Sequence, residues 1–145
     1  MGAFTWDADD VIDAVGKWRP PSLAREKDYE EALYKFLHER FPKTQIFRQY
    51  TQAKTCADIY VDFGEGHQRV AIELKAHLND RGEFHRLFGQ MFEYAYVWRV
   101  DSILVLCGES EPSLVKLSRA YVDMLNEKFS AKSRFLHIQT EIKGA

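Results

Sequence analysis

The chain has 145 residues, 46% of them hydrophobic and 29% charged, a balance that suits one domain around one core and excludes disordered and fibrous classes. Its formal net charge is −2, so it lacks the basic excess by which a tight, non-specific nucleic-acid binder releases counterions from phosphate. Any such role must rest on local patches, bound cations or a partner.

The opening MGAFTWDADD has neither a basic region nor an apolar core, so it is not a secretion signal. Residues 8–17 predict a short helix, stopped by WRPPS, whose two prolines force extended chain. Trp6 and Trp18 are placed to staple this helix to the body or to a second subunit. Residues 1–22 thus form a lead-in to a single domain spanning 1–145, with no repeat or linker inside it. Ser22 is expected to cap a long helix over about 23–41, ended by Pro42. A strand follows at 45–51, then a hairpin over 57–76. A second long helix is expected over about 80–98, with Phe84, Leu87, Phe88, Met91, Ala95 and Trp98 as its buried stripe. SILVLCG, 102–108, is a continuous apolar run, the mark of a strand buried on both faces. A third long helix fits about 111–129, and 133–142 closes the chain as an edge strand. The class is α/β: a mixed sheet flanked by helices.

No apolar run approaches the roughly 18 residues of a membrane span. Cys56 and Cys107 have no paired CxxC spacing, which argues against a cysteine zinc site and fits a reducing cytosol, so a cytoplasmic location is expected. Cys107 reads as a small buried residue. His77 and His85 read either as contacts to a phosphate or, more in keeping with their positions, as exposed histidines without a role. Lys43, Arg48 and Lys54 form either a solvated edge or a modest phosphate-binding one.

The hairpin ADIYVDFGEGHQRVAIELKA carries the first chemical signal. With GEGH (64–67) as the turn, Ile59, Val61 and Phe63 share a face with Val70, Ile72 and Leu74, all apolar. The opposite face then sets Asp58 against Glu73, with Lys75 following on that face. Like charges so placed repel. Two readings answer this: a solvated polar face in which Glu73 pairs with Lys75 or Arg69, or a divalent cation held by hard oxygen ligands.

Two further pieces accompany it. In the helix over 23–41, Glu30 points into the stripe of Leu33, Tyr34, Leu37 and Phe41, whereas Glu31 points about 100° away. A carboxylate aimed at a core-facing stripe needs a cation or hydrogen-bond partner, unless Glu30 is merely a first-turn acid favoured by the helix dipole. On the helix over 80–98, Gln90 and Tyr94 sit four apart on one flank, near Glu83 and Arg86. They are placed to hydrogen-bond a phosphate or position a water, or else to form an ordinary helix boundary.

Taken together, ADIYV with Asp58, then IELK with Glu73 and Lys75, resembles the PD-(D/E)XK nuclease superfamily, with Ala57 where the family's name has proline. QMFEY, 90–94, resembles the QxxxY motif of its RecB-like branch. The resemblance covers about 23–110 and implies a restriction-endonuclease-like αβββαβ core, here extended by a C-terminal helix and strand. It implies Mg²⁺- or Mn²⁺-dependent hydrolysis of phosphodiester bonds, in DNA more than in RNA. Asp58, Glu73 and the backbone carbonyl of Leu74 would hold the metal, and Glu30 a second metal or its water. Lys75 would orient or deprotonate the attacking water. Gln90, Tyr94 and Arg86 would contact nucleic acid, Gln90 also serving catalysis. A homodimer or larger nuclease complex would supply the specificity that no recognition helix here provides. The alternative is a non-catalytic nucleic-acid-binding or assembly subunit that retains the fold.

Overall fold

The computed structural model describes residues 6–64 and 68–129, together with the backbone of 133–138. The turn expected at 64–67 falls largely outside the described residues, as do 139–142 of the expected last strand. Helix α1, Ala8–Lys17, begins in a capping box: Asp7 accepts from the Asp10 amide while Asp10 accepts from that of Asp7. Its apolar stripe is buried, Trp18 follows it into the core, and Trp6 meets Phe41 edge-on at 5.1 Å. Both tryptophans therefore dock the lead-in onto the body.

Helix α2 runs Glu26–Arg40, several residues later than the cap expected at Ser22. The cause is tertiary. The Leu23 amide donates to the Tyr29 hydroxyl and the Leu23 carbonyl bonds the His77 ring, which ties this backbone down outside the helix. His77 is correspondingly no idle surface residue, because its other ring nitrogen accepts from the Glu109 amide. With Nδ1 accepting, Nε2 is the ring nitrogen that donates to the Leu23 carbonyl.

Strands β1 (Gln45–Gln52), β2 (Thr55–Asp62) and β3 (Arg69–Ala76) are antiparallel neighbours. Ala53 and Lys54 join the first two, both with positive φ, as a type I′ turn demands. Helix α3 (Arg81–Glu93) then returns the chain to β4 (Asp101–Cys107), and α4 (Pro112–Lys128) to β5 (Ser133–Ile138). Both returns are crossovers, since β3, β4 and β5 are parallel. The five-stranded sheet has the order β1–β2–β3–β4–β5, with α2 to β4 forming the αβββαβ core of a restriction-endonuclease-like fold.

Each face of the sheet carries its own core. Ile59, Val61, Val70, Ile72, Leu74, Ile103 and Val105 pack under α1 and α2. Ala71, Leu104 and Leu106 point the other way, under α3 and α4. The alternation along β4 explains why its sequence is apolar throughout. Regular α3 stops at Glu93, short of the expected 98, and continues as a π-helical turn, Tyr94–Trp98. This wider turn buries Tyr94, Ala95 and Trp98 together and sends the Trp98 indole N–H to the Gln52 carbonyl. No described helix is long and apolar enough to cross a membrane.

Candidate active site

The site forms where the sheet splits. From Ile59 to Asp62, β2 pairs with β3 in the expected register, Ile59 opposite Ile72 and Asp62 opposite Arg69. Towards the other end, Thr55–Ala57 pair only with β1, and Glu73–Ala76 only with β4. The two strands separate just beyond Ile59 and Ile72, and Asp58 and Glu73 are the next residues on either side of the opening. The Asp58 side chain takes over the place of a ladder bond: its Oδ2 accepts the Leu74 amide at 2.8 Å. The opposed pair expected from the register is thus replaced by two carboxylates at the mouth of a wedge, between α2 and α3.

Both carboxylates are poorly hydrated and near each other. Burial, the dominant cause, raises the Asp58 carboxyl to about 6, with the Glu30 charge adding to it against the Leu74 hydrogen bond. Burial first and Asp58 second push the Glu73 carboxyl well above the usual range. Glu73 is 6% exposed, and Tyr94 donates its hydroxyl to Glu73 Oε1. Among the described residues, neither Asp58 nor Glu73 has an ion-pair partner. The solvated-face reading, with Glu73 paired to Lys75 or Arg69, does not describe this geometry: Arg69 pairs with Asp62 at 3.3 Å, at the far end of the hairpin.

The Lys75 ammonium lies between Glu26 of α2 at 3.5 Å and Glu83 of α3 at 3.7 Å, bridging the two helices across the wedge. Glu26 also accepts the Ala76 amide, so one carboxylate fixes both the strand end and the lysine. Glu30 is buried, beside Asp58 and satisfied by its own partners. Its Oε2 takes two donors from Arg48, each at 2.9 Å, and its Oε1 takes the Gln49 amide at 2.8 Å. Gln49 in turn reaches Asp58 Oδ1 at 3.4 Å.

Gln90 and Tyr94 act on backbone rather than standing free on a flank. Gln90 donates to the Cys56 carbonyl at 3.3 Å, and the hydroxyl of the fully buried Tyr94, whose proton goes to Glu73, lies at the same distance from that carbonyl. They grip β2 where it has left β3, which sets the width of the opening. Arg86 is exposed and lines a cleft of about 480 Å³ together with Glu73, Lys75 and Gln90. A second hollow, of about 370 Å³, reaches Asp58 from the other side past Glu30, Arg48 and Gln49. Glu26 escaped the sequence reading although it lies one helical turn before Glu30 and shares its face. Gln49 carried no signal at all.

Among the described residues, no three His, Cys, Asp or Glu side chains converge closely enough to form a ready metal cage. The fit to Mg²⁺ or Mn²⁺ rests instead on two hard carboxylate donors whose raised pKa values mark a local want of positive charge. Such ions use one or two protein carboxylates and complete their shell with water and phosphate oxygens.

No protein-family model and no curated protein sequence matches the chain. Solved structures share its backbone arrangement. SfsA of Pyrococcus furiosus, in complex with Ca²⁺, aligns over 81% of this chain and 60% of its own, with a TM-score of 0.50 and 13% identity. EndoMS in complex with double-stranded DNA aligns over 88% of this chain and 50% of its own, with a TM-score of 0.48 and 13% identity. A repair endonuclease from Pyrococcus abyssi gives 0.42, with 83% and 50% coverage and 17% identity. The chain therefore spans half to three fifths of the length of these proteins. At such identities the likeness is one of fold.

Proposed function

We propose that this protein is a divalent-metal-dependent nuclease that hydrolyses phosphodiester bonds, in DNA rather than RNA. The observation that carries the reading is the pair Asp58 and Glu73: two desolvated carboxylates at one opening, without an ion-pair partner among the described residues. Burying like charges side by side costs stability unless a cation or proton relieves them. The family resemblance supplies DNA as the substrate.

Asp58, Glu73 and the Leu74 carbonyl would hold the ion, Glu30 standing by for a second ion or its water. When bound, Mg²⁺ or Mn²⁺ supplies Lewis-acid polarisation of a phosphoryl oxygen at the carboxylates. Lys75 orients the attacking water or stabilises developing negative charge, and Glu26 and Glu83 hold its ammonium in place. Gln90 and Tyr94 keep the opening at its width through Cys56, and Arg86 meets the nucleic-acid backbone at the rim. With a net charge of −2, grip on DNA falls to the bound ion, to Arg86 and to a second copy or partner chain.

The competing reading is a nucleic-acid-binding or assembly subunit without catalysis. It is favoured by the way Arg48 and Gln49 already satisfy Glu30. Incubating wild type and Lys75→Ala with linear, circular, single-stranded and branched DNA, and with RNA, each with and without Mn²⁺, separates the two. Mn²⁺-dependent cutting of DNA by wild type alone is the expected result. Equal cutting by both proteins, or none by either, overturns the nuclease reading.

A further inference from the structure

All four carboxylate oxygens of Glu30 and Asp58 have a partner, and one of those partners is a side-chain amide. Arg48 takes Glu30 Oε2, and the Leu74 amide takes Asp58 Oδ2. The two remaining oxygens, Glu30 Oε1 and Asp58 Oδ1, share a single group, the Nε2 of Gln49, at 2.8 and 3.4 Å. Both acids only accept when ionised, so the amide must present its NH₂ to them. Its oxygen faces the Cys56 thiol at 3.5 Å, consistent with that orientation.

Three more features set Gln49 apart. Its φ is +51°, a left-handed conformation that a residue with a side chain adopts at a cost. It sits opposite the point where β2 leaves β3, and the β1–β2 pairs on either side of it, Arg48 with Ile59 and Tyr50 with Ala57, are kept. Phe47 and Tyr50 both face the Tyr60 side, Tyr50 stacked on Tyr60 at 4.2 Å, while Arg48 turns to α2. Gln49 is also exposed, so its amide can swing into solvent without disturbing a core.

Resting on the nuclease reading above, we infer that Gln49 is a gate on cation binding: its amide must leave Glu30 Oε1 and Asp58 Oδ1 before those oxygens can share a divalent ion. Gln49 is a positioning residue in this role, acting through the two acids. The gate holds Glu30 out of the ion's coordination at low ion concentration, and leaves Glu73 as the first acid to engage, with Asp58 following when the amide departs.

Mn²⁺ titration calorimetry on the full chain, without DNA, tests this. The variants are Gln49→Gly, which suits the positive φ and removes the amide, Glu30→Gln, and the double variant; Asp58→Asn serves as the reference loss. Gln49→Gly should bind Mn²⁺ about tenfold more tightly than wild type, since two charge-assisted hydrogen bonds no longer compete. The gain should vanish in the double variant. Unchanged or weaker binding by Gln49→Gly overturns the gate, as does a gain that persists without Glu30. If wild type binds Mn²⁺ through Asp58 while Gln49 has no effect, the gate alone fails. If no variant binds Mn²⁺, the nuclease reading fails with it.

Discussion

The two ends of the β2–β3 hairpin differ in how they treat charge. At the closed end the strands stay paired, and Asp62 faces Arg69, an opposite-charge pair at 3.3 Å that is partly open to solvent. At the open end the strands part, and Asp58 and Glu73 are like charges in a desolvated wedge. One hairpin thus holds an arrangement that stabilises the chain beside one that strains it. A fold selected for stability alone would repeat the first arrangement at both ends, so the second is where chemistry is to be sought.

The contrast can be broken most sharply in activity. Replacing Lys75 by Ala should lower the rate of Mn²⁺-dependent DNA cleavage about 10²- to 10³-fold, whereas Arg69→Ala, the cation of the closed end, should leave it within about twofold. Single-turnover cleavage of one labelled oligonucleotide compares the two directly. Similar losses in both would erase the functional distinction between the ends.

Stability against pH gives the next largest difference. In the folded chain Asp58 keeps its proton up to about 6, against 3.8 unfolded, so its contribution is fully present below the lower value. It is lost as pH rises through about 6, which amounts to about 3 kcal/mol at most. Glu73, raised in the same direction, prolongs the loss towards higher pH. Urea denaturation of chelator-treated protein should therefore show stability falling across this window, Asp58→Asn should flatten the fall, and Mn²⁺ should restore stability above it. A flat profile in wild type would mean that the wedge is hydrated.

A smaller effect is expected at Tyr94, whose hydroxyl donates to Glu73. Tyr94→Phe should cost about 1–3 kcal/mol of stability by leaving the buried Glu73 carboxyl without its donor, while Gln90 keeps the Cys56 carbonyl satisfied. The smallest effect belongs to the closed end. Asp62→Ala should change stability by about 0.2–1 kcal/mol, less at high salt, because its pair is partly solvated. A larger loss there would show that the closed end also depends on buried charge.

Much of this was legible in the chain itself, because hydrophobic period is a local property. The six apolar residues of the hairpin set the β2–β3 register, and the all-apolar run in β4 announced a strand covered on both faces. Glu30 was visible as an acid in an apolar stripe, and its burial agrees. The two-residue turn at Ala53 and Lys54 was not, since neither is the glycine or asparagine that usually marks positive φ. Nor was the start of α2, which Leu23 decides through Tyr29 and His77.

What tertiary structure alone decided is the separation of β2 from β3 and everything that hangs on it. Beyond Ile59 and Ile72, β2 stays with β1 and β3 stays with β4, and no pattern within the hairpin records which neighbour each strand will follow. The contacts of Gln90 and Tyr94 with Cys56, the clamp of Glu26 and Glu83 on Lys75, and the Gln49 bridge all join residues distant in sequence. Sequence determined which side chains face which way. Only the packed fold determined which of the acids would be left dry, close together and short of positive charge, because desolvation is a property of the surroundings rather than of the residue.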